Sequence, residues 1–234
     1  MDDVAASGET DVMPLRAAYA LDLQHLALQV DVMGLRVQDA LASSSEVLLT
    51  GDLDLAARVI AGDDAIDSMF VALTERCYDL LSRQSPVASD LRLVVSVVRI
   101  VGDLERTGDL CLRIAKLAPE HHLLAANPTS FEILGTMAQE AQELFATAVR
   151  AFTQRDLRVA HSLEQRDDAM DSYLRRLMTA ILELQGPNAV PEAIQTLVAG
   201  RALERIADHS VMIGERLRYM LTGNIESLSR EVGP

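Results

Sequence analysis

An all-α fold of two tandem three-helix bundles, arising from an internal duplication, is what this sequence predicts, and three observations carry that prediction. Apolar residues recur at three- and four-residue steps, as in Leu23, Leu26, Val30, Met33, Val37 and Ala40, the spacing of one helix face. No stretch alternates apolar and polar residues over the length of a strand. The chain also repeats itself. Asp52, Leu53, Ala56, Asp63, Asp64, Ala65, Asp67 and Ser68 meet identical residues 104 positions later, at Asp156, Leu157, Ala160, Asp167, Asp168, Ala169, Asp171 and Ser172. The same shift carries Met33 onto Met137.

Helix breakers set the elements. Residues 1–13, which begin MDDVAASGETD, are acidic and lack the basic and apolar regions of a secretory leader, so they are expected to be a disordered extension. A first helix over 14–49 ends at Thr50-Gly51-Asp52, a second over 52–84 ends before Pro86, and a third covers 86–118. Pro119 to Pro128 brackets a linker at 119–127. Helices over 128–153, 156–185 and 191–221 follow, separated at Arg155-Asp156 and Gly186-Pro187 and closed by Gly223. The bundles are therefore 14–118 and 128–223, with a tail at 224–234.

Hydrophobic residues make up 49% of the chain but aromatic ones only 3%, so the core must be filled by small and aliphatic side chains. Acidic residues outnumber basic ones by 35 to 21, a net charge of −14, and no Lys/Arg cluster sits among aromatics. That excludes nucleic acid as a partner, because phosphate-backbone binding needs concentrated positive charge. No run of 18 apolar residues exists, and the stretch 93–98 is stopped by Arg99, so no membrane span is expected and the cytoplasm is the expected location. Cys77 and Cys111 both lie in helical patterns and read as buried, reduced thiols.

The acidic residues are arranged. GDLERTGD at 102–109 and RALERIAD at 201–208 each set Glu and Asp four apart, which stacks two carboxylates on one helix face at a cost of roughly 0.2–0.5 kcal/mol. The chain holds six such pairs, close to the number that its acidity gives by chance. Their placement is what matters: Asp63/Asp67 recurs as Asp167/Asp171, and Glu105/Asp109 recurs as Glu204/Asp208. Asp67 and Glu105 each lie 19 residues from Pro86, and Asp63 and Asp109 each lie 23 from it. In an antiparallel hairpin equal distance from the turn means equal height, roughly 28 Å along for the nearer pair. In the second copy Asp171 and Glu204 lie 16 and 17 residues from Pro187, and Asp167 and Asp208 lie 20 and 21 from it.

Carboxylates gathered in this way suit oxygen-seeking cations such as Mg²⁺, Mn²⁺ or Ca²⁺, and iron. The alternative is that Arg106 and Arg205, or Arg99 and Arg201, pair with them in solvated salt bridges. Histidine does not point to catalysis: no Glu-x-x-His motif exists, and His209 has Leu110 as its counterpart. His121 and His122 fall in the linker and are expected to be solvated, and nothing around His25 or His161 marks a phosphotransfer site. There is no glycine-rich phosphate loop. No enzyme is expected.

Taken in order, DDAID, SPVASDLR, LERTGD, DDAMD and RALERIADH give the chain, over about residues 14–223, a pattern that resembles the PhoU family of phosphate-signalling regulators. The resemblance implies a non-enzymatic cytoplasmic adaptor between a phosphate ABC transporter, through its ATPase subunit, and a sensor histidine kinase, acting as a negative regulator of the phosphate regulon. It also implies metal ligation at Asp63, Asp67, Glu105, Asp109, Asp167, Asp171, Glu204 and Asp208, with Mg, Mn or Fe as occupant. Contact with a membrane would be peripheral, through the transporter, and a homodimer is compatible with the family. Ala207 departs from the first copy's Gly108, which removes no carboxylate. A second reading stays open, a carboxylate metal-cluster protein with a storage or weak hydrolase role.

Overall fold

The chain turns from one long helix into the next in the same way in both halves. A computed structural model describes residues 12–83 and 86–228, with side chains except those of 12–15, 83 and 164–167. Its helices are α1 (Val12–Thr50), α2 (Leu53–Arg83), α3 (Ala88–Ala115), the single turn α4 (His121–Leu124), α5 (Pro128–Gln154), α6 (Leu157–Leu182) and α7 (Ala189–Thr222). α1 closes on Gly51 at φ +72°, and α5 closes on its counterpart Arg155 at φ +51°, both left-handed. Asp52 then accepts the Leu55 N–H at 2.9 Å, and Asp156 accepts those of Arg158 and Val159 at 2.8 and 3.2 Å, so the duplicated aspartates are duplicated helix caps. The bonds from Val159 and Arg158 hold the Asp156 carboxyl below the usual carboxylate range. Glycine is required only in the first copy, where a Cβ on Gly51 would lie 2.7 Å from His121 Cγ.

α1, α2 and α3 form one three-helix bundle and α5, α6 and α7 the other, and no strand occurs among the described residues. α3 packs along α7, and α1 against α5, so both bundles share one continuous core. Leu26, Val30, Met33 and Val37 on α1 enter it with Met137 and Phe145 on α5, Ile100 and Leu104 on α3, and Leu203 and Ile206 on α7. Each of these ten side chains is at most 2% exposed. Leu41 and Leu48 continue the buried α1 stripe beyond Ala40.

Most of the extension expected at residues 1–13 lies outside the described residues, but 12 and 13 already belong to α1. The 119–127 connection is folded rather than open. Ala118–Glu120 makes a 3₁₀ turn, α4 follows, and Leu123 and Leu124 are buried. His121 is accordingly not solvated: it meets Phe131 edge-on at 5.7 Å and packs under Gly51, whereas His122 is exposed. In the tail, Ile225–Leu228 turns back so that Ser227 and Leu228 are buried.

α7 approaches α6 through glycine. A Cβ on Gly214 would stand 2.7 Å from Leu163 Cδ1 and 3.1 Å from the Ala160 carbonyl oxygen, which is backbone and cannot yield. Gly102, in the LER motif, has nothing within 4 Å of the same position. Urea denaturation should therefore find Gly214→Val destabilised by about 1–3 kcal/mol and Gly102→Ala stabilised by up to about 1 kcal/mol. Equal effects would contradict the packing described.

Candidate functional site

In the first bundle Asp63 and Asp67 come from α2 and Glu105 and Asp109 from α3. The helices are tight at this level: a Cβ on Gly108 would be 3.2 Å from the Ile66 methyls and 3.8 Å from Asp63 Oδ1. Burial, then the charges of Asp67 and Asp109, push the Asp63 carboxyl above its ordinary range, with Lys116 opposing. Burial, then Asp109 and Asp67, do the same to Glu105, with Arg106 opposing. The couplings that cross between helices, Asp63 with Asp109 and Glu105 with Asp67, join the residues equidistant from Pro86. Among the described residues no ion pair reaches any of these four carboxylates.

The second bundle is built alike but is partly neutralised. Burial and then Asp208 raise Glu204, Arg201 and Arg205 oppose, and Asp171 reaches it from α6. Arg201 Nη1 donates to Glu204 Oε1 at 3.1 Å, so the salt-bridge alternative holds for one oxygen. The other, Oε2, is buried without a hydrogen-bond partner. Asp167 has its backbone in α6, and its side chain lies outside the described residues. Ala207, fully buried, fills the place of Gly108.

Among the described residues no three His, Cys, Asp or Glu side chains converge on a point that a metal ion could occupy. The donors fit a hard cation in kind: carboxylates only, without an ion pair among the described residues of the first bundle, with one orphaned buried oxygen in the second. They are grouped without being closed around a centre.

Sequence reasoning missed a polar cluster between the bundles. Asp103 on α3 is fully buried, and its two oxygens meet His209 Nδ1, at 3.1 Å, and Arg216 Nη1, both from α7. Arg216 also donates to the Arg99 carbonyl oxygen at 3.3 Å. A carboxylate can only accept, so the Asp103-facing nitrogen of His209 carries the proton. Burial, helped by the charges of Arg205 and Arg106, holds His209 down at about 4, and its ring is neutral at pH 7. Burial, then Arg99, lowers Arg216 to about 10, which leaves it charged and able to balance Asp103. The counterparts of Asp103, His209 and Arg216 at the 99-residue shift of the LER motifs are Ala202, Leu110 and Leu117. Polar residues standing where the duplicate has apolar ones were the available signal.

Cys77 and Cys111 are free and buried, as expected, and burial pushes both thiols up to about 12, which leaves them unreactive. No described helix is long and apolar enough to cross a membrane.

The chain matches the PhoU domain model twice, over residues 30–118 and 134–217. It is 32% identical over 210 residues to the phosphate-specific transport system accessory protein PhoU homolog 2 of Mycobacterium tuberculosis, covering 89% of this chain and 99% of the relative. The crystal structure of PhoU from Pseudomonas aeruginosa superposes with a TM-score of 0.84 at 28% identity, covering 88% of this chain and all of that one. That of the phosphate transport system regulatory protein PhoU from Streptococcus pneumoniae does so at 0.80 and 31%, covering 88% and 98%.

Proposed function

The chain belongs to the PhoU family, and from that premise we propose that it is a cytoplasmic, non-enzymatic regulator of phosphate uptake and phosphate-starvation signalling. In this role it acts as an adaptor, docking on the ATPase subunit of a phosphate ABC transporter and on a sensor histidine kinase, and it represses the phosphate regulon when phosphate is plentiful. The observation that carries the reading is the match of both halves to the family domain, in a chain aligned over nearly the whole length of a relative named as a transport accessory protein. We assign Mg²⁺, Mn²⁺ or iron to the paired carboxylates Asp63/Asp67 with Glu105/Asp109, and Asp167/Asp171 with Glu204/Asp208. A bound cation would offset the burial and the repulsion that raise Asp63, Glu105 and Glu204 and so tune stability and docking. Titration calorimetry between the purified protein and the transporter's ATPase subunit tests the adaptor role, which predicts saturable binding; absence of binding to both that subunit and the kinase contradicts it.

The orphaned Glu204 Oε2 favours one other reading, in which the metal itself is the function, as a store or a weak hydrolytic centre. There, stripping the metal abolishes storage or turnover. In the adaptor reading it changes stability and docking only.

A further inference from the structure

The two bundles differ on one outer face. On α1, Leu28, Val32 and Leu35 are 60%, 57% and 55% exposed, along one line of the helix with Leu21 at 55%. The duplicate is an internal reference for this surface. At the same places α5 carries Glu132, Thr136 and Gln139, all exposed, while the buried Met33 and Val37 meet the buried Met137 and Ala141. The fold therefore requires the inward face and leaves the outward one free. By contrast, the exposed apolar residues at the start of α3, Leu91 and Val95, recur at the start of α7 as Val190 and Ile194, so they belong to the common plan.

The stripe borders two grooves between α1 and α2, of about 570 and 580 Å³. Val32 lines both, Leu35, Arg36 and Arg58 line the first, and Leu28 and Arg76 the second. The charges there also break the duplication. Arg36, Arg58 and Arg76 stand where the second copy has Glu140, Ser162 and Ala180. Arg76 is ion-paired with Asp22, whereas Arg36 and Arg58 are exposed beside the apolar stripe. The first groove thus sets two arginines against one aspartate, Asp39, and carries a net positive charge in a chain whose own net charge is −14.

We propose that the α1–α2 groove of the first bundle docks an amphipathic helix of a partner protein whose apolar face is flanked by acidic residues. The apolar line from Leu21 to Leu35 runs about 21 Å, four helical turns, the length over which a helix in a groove anchors at i, i+3/i+4 and i+7. Arg36 and Arg58 select acidic flanks by charge complementarity, and reversing them would set like charges against those flanks at a cost in affinity. A second copy of the chain fits less well, since it would bring the same arginines to a shared groove between two molecules of net charge −14. An anionic membrane is repelled by that charge and offers nothing to fill a concavity.

The probes are two labelled 18-residue helical peptides with one leucine stripe, flanked by Glu in one and by Lys in the other, read by fluorescence anisotropy. One variant, Leu28→Glu/Val32→Thr/Leu35→Gln, installs residues that the same fold already carries in its second bundle. The other is Arg36→Glu/Arg58→Glu. The Glu-flanked peptide should bind the unaltered protein at least tenfold more tightly than either variant, and more weakly as salt rises, while the Lys-flanked peptide should not distinguish the protein from the triple variant. No binding of the Glu-flanked peptide, or equal binding by the triple variant, overturns the proposal. So does a dimer in sedimentation, or phosphatidylserine-vesicle binding, that the triple variant abolishes, because another occupant would then own the face. The arginine variant alters only exposed side chains and decides the matter even if the triple variant folds poorly.

Discussion

Asp103→Ala is expected to destabilise the protein by about 3–5 kcal/mol, the cost of removing one partner from a buried ion pair. Arg216, on a side chain only 7% exposed, would lose the buried carboxylate that it balances, and His209 would lose its acceptor. For a chain of this length the melting temperature should fall by roughly 6–20 °C. Arg216→Met alone should be comparably damaging, because it leaves the Asp103 carboxylate uncompensated. The double variant Asp103→Ala/Arg216→Met should recover much of the loss, since an apolar replacement of a whole buried pair is often close to neutral. Recovery would show that what α3 and α7 require of each other here is charge balance, not the charges themselves. A melting temperature for Asp103→Ala close to that of the unaltered protein would contradict the network.

Asp63→Asn/Asp67→Asn/Glu105→Gln/Asp109→Asn is the second decisive variant. Mn²⁺ or Mg²⁺ at one hundred times its dissociation constant should stabilise the unaltered protein by about 2.7 kcal/mol for each site filled. The variant should lose the share belonging to the first bundle and keep that of the second. Without metal its stability at pH 7 should match or exceed that of the unaltered protein. Of the carboxyls it removes, Asp63 and Glu105 are raised in the folded state, so these two favour folding fully only below their unfolded range, and that contribution is lost as pH rises through their folded values. Acidification towards the ordinary carboxylate range should therefore stabilise the metal-free protein through Asp63 and Glu105, an effect the variant lacks. Solvated salt bridges at these positions would give the reverse, a loss of stability on substitution and no response to divalent cations beyond screening. Scanning calorimetry with and without chelator separates the two.

Much of this was legible in the sequence because it is periodic or repeated. The α1 face from Leu23 to Val37 follows from spacing alone, and the duplicated Asp52 and Asp156 announce two helix starts that the structure builds with the same cap. Equal distance from Pro86 identifies which carboxylates couple across α2 and α3, since a hairpin of straight helices converts residue number into height. What was not legible depends on contacts between elements far apart in the chain. Asp103 and His209 are separated by 106 residues, and no local pattern links them. His121 reads as a solvated linker residue until α4 places its ring beneath Gly51. The Arg201 bond to Glu204 lies within one helix, but whether a surface arginine turns towards its i+3 neighbour or towards solvent is a choice of side-chain conformation that spacing does not decide.

Repression of phosphate-starvation signalling by this chain, as proposed above, can be measured in its own host. The measurement is the expression of a phosphate-starvation reporter in phosphate-rich medium after deletion of the gene, with no second copy present. The reporter should be switched on despite abundant phosphate and silenced again by the restored gene. Expression unchanged by the deletion would contradict that repression.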